Sequence, residues 1–300
     1  MKAGIIAPQG WTGEYDGWDA SAAWDRTVEV AHEVDRLGFD SLWHFDHFHT
    51  FPEPNDEITF ESFTALSALA ALTRRVRLGH IVICTAFRNP ALTAKMISTM
   101  DIVSRGRIEL GIGAGWKRDE WLAYGYGFPP TRERLATLAD HLEVISAMLR
   151  PGRADHATFE GNRARVADAI NVPKPIQQPR LPIMVGGNGP EVTWRLAARF
   201  ADELNLDGPS PETTAEWLPV IRSRCEEVGR DPASLRVSVH LWWGDAVGSA
   251  ERVDRLGRYA DLGISRTMEL VRDATLGPDA LERYAEDCRA AGVELAPTTA

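Results

Sequence analysis

Cysteine is scarce in this chain: Cys84, Cys225 and Cys288 are spread over 300 residues. An odd number of distant thiols with no CxxC pair argues against a disulfide framework or a structural zinc knuckle. A reducing, cytoplasmic setting fits that usage. Long apolar runs are missing too. None approaches the roughly 20 residues of a membrane helix, and the apolar stretch after Met1 is too short for a signal peptide. Excess positive charge is absent: the net charge is −10, which argues against broad binding to nucleic acid or an acidic membrane. The chain also lacks a Gx4GK[ST] loop, a GxSxG elbow and an HExxH pair. Nucleotide hydrolysis, esterase chemistry of the α/β-hydrolase kind and thermolysin-like proteolysis are therefore disfavoured.

What is present is an ordinary globular composition, 44% hydrophobic and 25% charged, arranged as alternating strands and helices. Short apolar runs predict strands at Ala3–Ala7, Phe39–Trp43, Val76–Ile83, Arg107–Ile112, Leu181–Val185, Glu203–Leu206, Leu235–Trp243 and Ile264–Val271. Between them, three- and four-residue spacing predicts helices, as in Trp24, Val28, Ala31, Val34 and Leu37, closed by Gly38. About eight such units are what a (β/α)8 TIM barrel requires, in a single domain of this length. A doubly wound open sheet is the architectural alternative.

The stretch 151–180 breaks the rhythm and reads as an insertion between the fourth helix and the fifth strand, with a small hairpin or ordered excursion inside it. It carries Arg153, Arg163, Arg165, Lys174 and Arg180 against Asp155, Glu160 and Asp168. A solvated loop is the plainer reading, and a flank for an anionic ligand the sharper one.

Three segments point to chemistry. The second strand runs into Trp43-His44-Phe45-Asp46-His47-Phe48-His49. Titratable groups crowded at the carboxyl end of a barrel strand stand where such folds build active sites. His47 in a cleft suits proton transfer near neutral pH. His44, His47 and His49 also invite a metal reading, but only His240 and Glu269 offer late-strand partners, so no metal is expected. Gly111-Ile112-Gly113-Ala114-Gly115-Trp116 follows the fourth strand. Its glycines permit close backbone approach, while Trp116 stands where the dinucleotide pattern needs glycine. Gly186-Gly187-Asn188-Gly189-Pro190 leads from the fifth strand into a helix, a setting suited to phosphate or to nothing more than a permissive turn. On the seventh strand, alternation puts Ser238, His240 and Trp242 on one face, a flat wall with a polar tip.

Taken in order, Leu37 to Trp43 with Asp46-His47, Val76-Arg77-Leu78-Gly79 through Phe87-Arg88-Asn89-Pro90-Ala91, and Gly106-Arg107 through Trp116 resemble the luciferase-like monooxygenase superfamily. So do Phe128-Pro129-Pro130 with Arg132, Glu133 and Arg134, Ile183 to Gly187, and Val228 to Pro232; within the superfamily the likeness is to the branch that uses the deazaflavin coenzyme F420. That resemblance implies a TIM barrel with an insertion and an oxidoreductase that passes hydride between F420 and a small organic substrate. It places Asp46 and His47 beside the reactive ring, His47 as proton donor or acceptor and Asp46 fixing its tautomer or touching the coenzyme. It places a non-prolyl cis peptide at Ile81–Val82 against the ring, with Cys84, Trp116 and Asp119 approaching it. It gives the phosphate to Gly187, Asn188 and Gly189, with Asn205 and Asp207 nearby. Trp43, His240, Trp242 and Glu269 are expected to line the substrate pocket. Members that oxidise sugar phosphates have glutamate where Trp116 falls and lysines on later loops, which this chain lacks; Cys84 stands where a small hydroxyl residue is common. Family members are often homodimers. FMN in place of F420, as monooxygenase or reductase, is the first alternative. A metal-dependent barrel hydrolase and a non-enzymatic coenzyme-binding protein follow.

Overall fold

The computed structural model describes residues 1–152, 156–242 and 248–297. Trp243, the end of the expected seventh strand, and Arg153 and Asp155 of the expected insertion lie outside the described residues.

The chain folds as a closed barrel of parallel strands. In chain order the strands are β1 (Lys2–Ile6), β2 (Ser41–His44), β3 (Arg77–His80), β4 (Ile83–Cys84), β5 (Ile108–Gly113), β6 (Ala157–Glu160), β7 (Arg165–Ala169), β8 (Ile183–Gly186), β9 (Glu203–Asp207), β10 (Arg236–Leu241) and β11 (Arg266–Glu269). The barrel order is β3-β2-β1-β11-β10-β9-β8-β5-β4, closed by a β3–β5 pairing. β3 and β4 are halves of one stave, so the expected third strand is interrupted. The break falls at the Ile81–Val82 peptide, which is cis. β6 and β7 form an antiparallel hairpin apart from the barrel, within the expected insertion.

The helices are α1 (Ala20–Leu37), α2 (Ser62–Leu72), α3 (Pro90–Ser104), α4 (Arg118–Ala123), α5 (Thr131–Leu149), α6 (Thr193–Phe200), α7 (Pro211–Glu227), α8 (Ser249–Asp261) and α9 (Asp279–Ala290). Their ends follow local chemistry. Asp19 caps α1 by accepting from the backbone of Ser21 and Ala22, and Gly38 ends it at φ 93°. Asn89 caps α3, with Pro90 in its first turn. Two expectations shift. The helix after β8 begins at Thr193, so Pro190 lies in the turn before it. The short α4 was not expected at all; six residues are too few for apolar periodicity to register.

Strand parity sorts the interior from the outer core. Ala3, Ile5, Leu42, Leu78, Ile108, Leu110, Ile112, Ile183, Val185, Leu204, Leu206, Val239 and Leu241 pack outward into one buried cluster with the helices. Inside, the amino end of the barrel is closed by charge. The buried Arg266 guanidinium bonds Glu109 Oε2 at 2.7 Å, Glu203 Oε2 at 2.9 Å and Asp40 Oδ2 at 2.9 Å. Above it lies an apolar layer of Ile6, Trp43, Ile81, Met184 and Met268. The Trp43 indole fits because Gly79 offers no side chain there; a Cβ would come within 2.3 Å of the ring. With the middle of the barrel filled, a separate cavity opens toward the carboxyl ends of the strands.

Candidate active site

At that end is a cavity of about 270 Å³. Its floor is the Ile81-Val82-Ile83 stretch with the backbone of Gly113, Gly186 and Gly187. Trp11, Phe45, Trp116, Trp121 and Trp242 form much of its wall. The glycines are demanded by Val82: a Cβ on Gly113 or Gly186 would stand 2.7 or 2.8 Å from its methyl groups. Such a slot, apolar and flat with few convergent polar groups, suits an aromatic ligand.

His47 enters from the loop after β2. Its ring lies on the Trp11 indole, 4.2 Å between centroids and 4° from parallel. Its Nδ1 is 2.8 Å from Glu120 Oε2. Glu120 is fully buried, and its other oxygen accepts from the backbone of Phe48 at 2.6 Å. A carboxylate so placed accepts a hydrogen bond from Nδ1–H and leaves Nε2 as the unprotonated nitrogen of the neutral ring. Glu120, on α4, was missed in the sequence. Its one signal there is a carboxylate beside Trp121 in a segment following a strand's carboxyl end.

The expected pairing of Asp46 with His47 is therefore corrected. Asp46 is buried and occupied elsewhere: Oδ1 accepts from Ser62 Oγ at 2.9 Å, and Oδ2 from Cys84 N at 2.9 Å and Arg88 Nη1 at 2.8 Å. It still borders the cavity. Burial pushes the Cys84 thiol up to about 12, with Asp46 and Glu120 adding to the rise, so this cavity-lining thiol is neutral.

Across the cavity, His240 Nδ1 is 3.0 Å from Asn205 Oδ1, and Asn205 Nδ2 donates to Ser238 Oγ at 3.0 Å. His240 Nε2 lies 3.0 Å from Asp207 Oδ1, which also accepts from Trp242 Nε1. Burial alone would raise the Asp207 carboxyl; contact with His240 and Trp242 holds it below the usual carboxylate range.

Other expected site residues fall differently. Trp43 is inside the barrel but one layer below the cavity, its Nε1 donating to Ser41 Oγ at 2.9 Å. Glu269 points out of the barrel toward Arg252 of α8, 3.9 Å away, because Arg266 and Met268 take the inward positions of β11. Asp119 is half exposed at the rim, paired with Lys117 at 2.7 Å. The Asn188 amide bridges both backbone groups of Asp207 at 2.9 Å, and Gly187 N–H donates to Asn205 O at 3.0 Å. The Gly187 N–H is thereby engaged, while the Asn188 amide nitrogen keeps a second hydrogen. Gly189 lies in the same turn, outside the cavity lining. The three imidazoles of the second segment diverge: His44 faces outward to its cross-strand partner His80, and His49 lies 3.7 Å from Asp119. Among the described residues, no three His, Cys, Asp or Glu side chains converge as metal ligands would.

Comparison with known proteins adds four findings. The family model described as luciferase-like monooxygenase matches residues 1–266. An uncharacterised protein of Mycobacterium tuberculosis is 28% identical over 219 residues, 73% of this chain and 72% of its own length. The F420-dependent glucose-6-phosphate dehydrogenase of Kineococcus radiotolerans is 32% identical over 255 residues, 83% of this chain and 73% of its own. Among solved structures, an F420-dependent secondary alcohol dehydrogenase in complex with an F420-acetone adduct superposes with a TM-score of 0.79 at 19% identity, covering 97% of this chain and 98% of that one. At that identity the likeness is one of fold.

Proposed function

Because the chain belongs to the luciferase-like monooxygenase family, we propose that it is an oxidoreductase moving hydride between coenzyme F420 and a small organic substrate. The reading is carried by one arrangement: the His47–Glu120 pair beside a flat, glycine-floored slot. Identity of 32% with an F420-dependent relative supports the choice of coenzyme.

The residues present fit a planar tricyclic ring. The Ile81-Val82-Ile83 strip and the glycines leave an apolar surface, and Thr193 adds a hydroxyl to the lining. When bound, the deazaflavin supplies a ring carbon that carries hydride. The protein does the rest. Trp11 fixes the plane of His47, Glu120 fixes its tautomer, and Nε2 gives or takes the substrate proton. Asp46 ties Cys84 and Arg88 and so holds the β4 edge of the slot. The aromatic walls exclude water from the reacting atoms.

The substrate is small and uncharged in this reading. The cavity lining offers one lysine or arginine among the described residues, Lys117, already paired with Asp119 at 2.7 Å. That is a poor receptor for a sugar phosphate. We also propose a cytoplasmic homodimer. The three buried free thiols support a reducing compartment, and the exposed Leu92, Ile102 and Val103 of α3 support a partner on that face. Among the described residues, no helix is long and apolar enough to cross a membrane.

The test is titration of the purified protein with F420 and with FMN. Reduced F420 is then offered against a panel of carbonyl, imine and enone compounds. Binding of F420 with turnover on the panel is expected. Tight FMN binding with no response to F420 would overturn the coenzyme assignment.

A further inference from the structure

Among the described residues lining the cavity, Asp207 is the one carboxylate that is both half exposed and rigidly held; its side chain is 48% exposed. Its backbone is clamped on both sides by the Asn188 amide. Its Oδ1 takes Trp242 Nε1–H and faces His240 Nε2. Gly208, at φ 59°, lets the indole close over the turn, since a Cβ there would meet Trp242 Cδ1 at 2.7 Å. By contrast Asp46 and Glu120 are buried and saturated with donors.

Asn205 donates its amide nitrogen to Ser238 Oγ and turns its oxygen toward His240 Nδ1. Trp242 Nε1 and His240 Nε2 both lie against Asp207 Oδ1, which leaves Oδ2 to accept from a ligand donor.

We infer that Asp207 is a specificity-determining acceptor for a hydroxyl group of the bound ligand, with His240 as its positioning residue. The inference rests on reading this cavity as the coenzyme and substrate chamber. The hydroxyl belongs either to the organic substrate, distal to the group that reacts at His47, or to the coenzyme's sugar-alcohol chain.

Ligand titrations of wild type and variants test it. Tryptophan-fluorescence titrations compare cyclohexanone, 4-hydroxycyclohexanone and F420. Asp207→Ala is expected to weaken one of the two hydroxyl-bearing ligands about tenfold and to leave cyclohexanone unchanged, with His240→Phe giving a smaller loss on the same ligand. A loss on 4-hydroxycyclohexanone assigns the hydroxyl to the substrate, and a loss on F420 assigns it to the coenzyme. Equal affinities in wild type and variant for all three would overturn it. Should F420 fail to bind either protein, the coenzyme assignment falls, while the ketone comparison still judges Asp207.

Discussion

His47 lies flat against Trp11, 4.2 Å from centroid to centroid, while Glu120 grips its Nδ1 from the side at 2.8 Å. One contact fixes the plane of the imidazole and the other its rotation within that plane. A ring constrained in both ways presents a single nitrogen to the cavity in a single orientation, which is what proton transfer timed to hydride transfer requires.

Replacing His47 with alanine is therefore expected to lower turnover by about a hundredfold or more, with F420 affinity changed little. Glu120→Gln keeps the shape and loses the charge, and turnover is expected to fall by at least about tenfold at similar KM. Steady-state kinetics beside an F420 titration separate the two effects. A His47→Ala enzyme that turns over like wild type would remove the imidazole from the reaction.

Asp46 should behave as a structural residue. Its carboxylate is the buried counter-ion of Arg88, whose other nitrogen bonds Glu61 Oε1 at 2.7 Å. Removing Asp46 leaves Arg88 with Glu61 alone and leaves Ser62 Oγ and Cys84 N without their acceptor, a cost toward the lower end of about 3–5 kcal/mol. Urea denaturation of Asp46→Ala is expected to show a loss of that order. A variant with wild-type stability and no activity would instead return Asp46 to the chemistry.

Much of this was legible in the sequence, for identifiable reasons. The barrel was readable because strands buried on both sides stand out as apolar runs between amphipathic helices. His47 was readable because it follows such a run directly. Glu269 was misplaced because the segment 264–271 carries polar residues at both parities, Arg266 on one and Ser265, Thr267 and Glu269 on the other, and so does not declare its inward face. The inward face is set by Arg266, which the charge cluster with Glu109 and Glu203 pulls into the barrel. Trp43 was misplaced in depth, which depends on shear between strands and leaves no mark in one strand alone. Glu120 was invisible because its significance lies in a contact 73 residues away in the chain.

The glycine floor gives a separable prediction. An alanine methyl at Gly113 would sit 2.7 Å from Val82 Cγ2, and one at Gly186 would sit 2.8 Å from Val82 Cγ1. Either substitution pushes Val82 into the slot. Overpacking of this kind costs about 1–3 kcal/mol, so both variants are expected to fold with lowered melting temperature and with weakened F420 binding. Unchanged affinity in a folded Gly113→Ala protein would show that no ligand rests on this floor.

The last prediction concerns acid. His44 and His80 face each other across β2 and β3, outside the barrel and fully buried, and none of their four ring nitrogens has a hydrogen-bond partner. His80 packs on Phe63, 4.1 Å between centroids. Burial drives His44 down from 6.5 to about 4, with Glu61 pulling weakly the other way. Burial drives His80 down further, assisted by the positive charge of Arg88 and by His44 itself. Both rings are thus neutral in the folded protein while the unfolded chain binds their protons near pH 6.5. Below that pH the unfolded state takes up more protons than the folded one, so stability falls with falling pH. The loss from His44 starts near pH 6.5 and is complete once the pH passes below about 4; over that span it amounts to about 3 kcal/mol. His44→Leu removes the titrating group and leaves an apolar side chain of no greater bulk in an apolar site. Chemical denaturation at a series of pH values is expected to show a shallower decline between pH 6.5 and 4 in the variant than in wild type. Parallel curves for the two proteins would mean that the imidazole is already protonated or solvated in the native state, contrary to its burial between the sheet and α2.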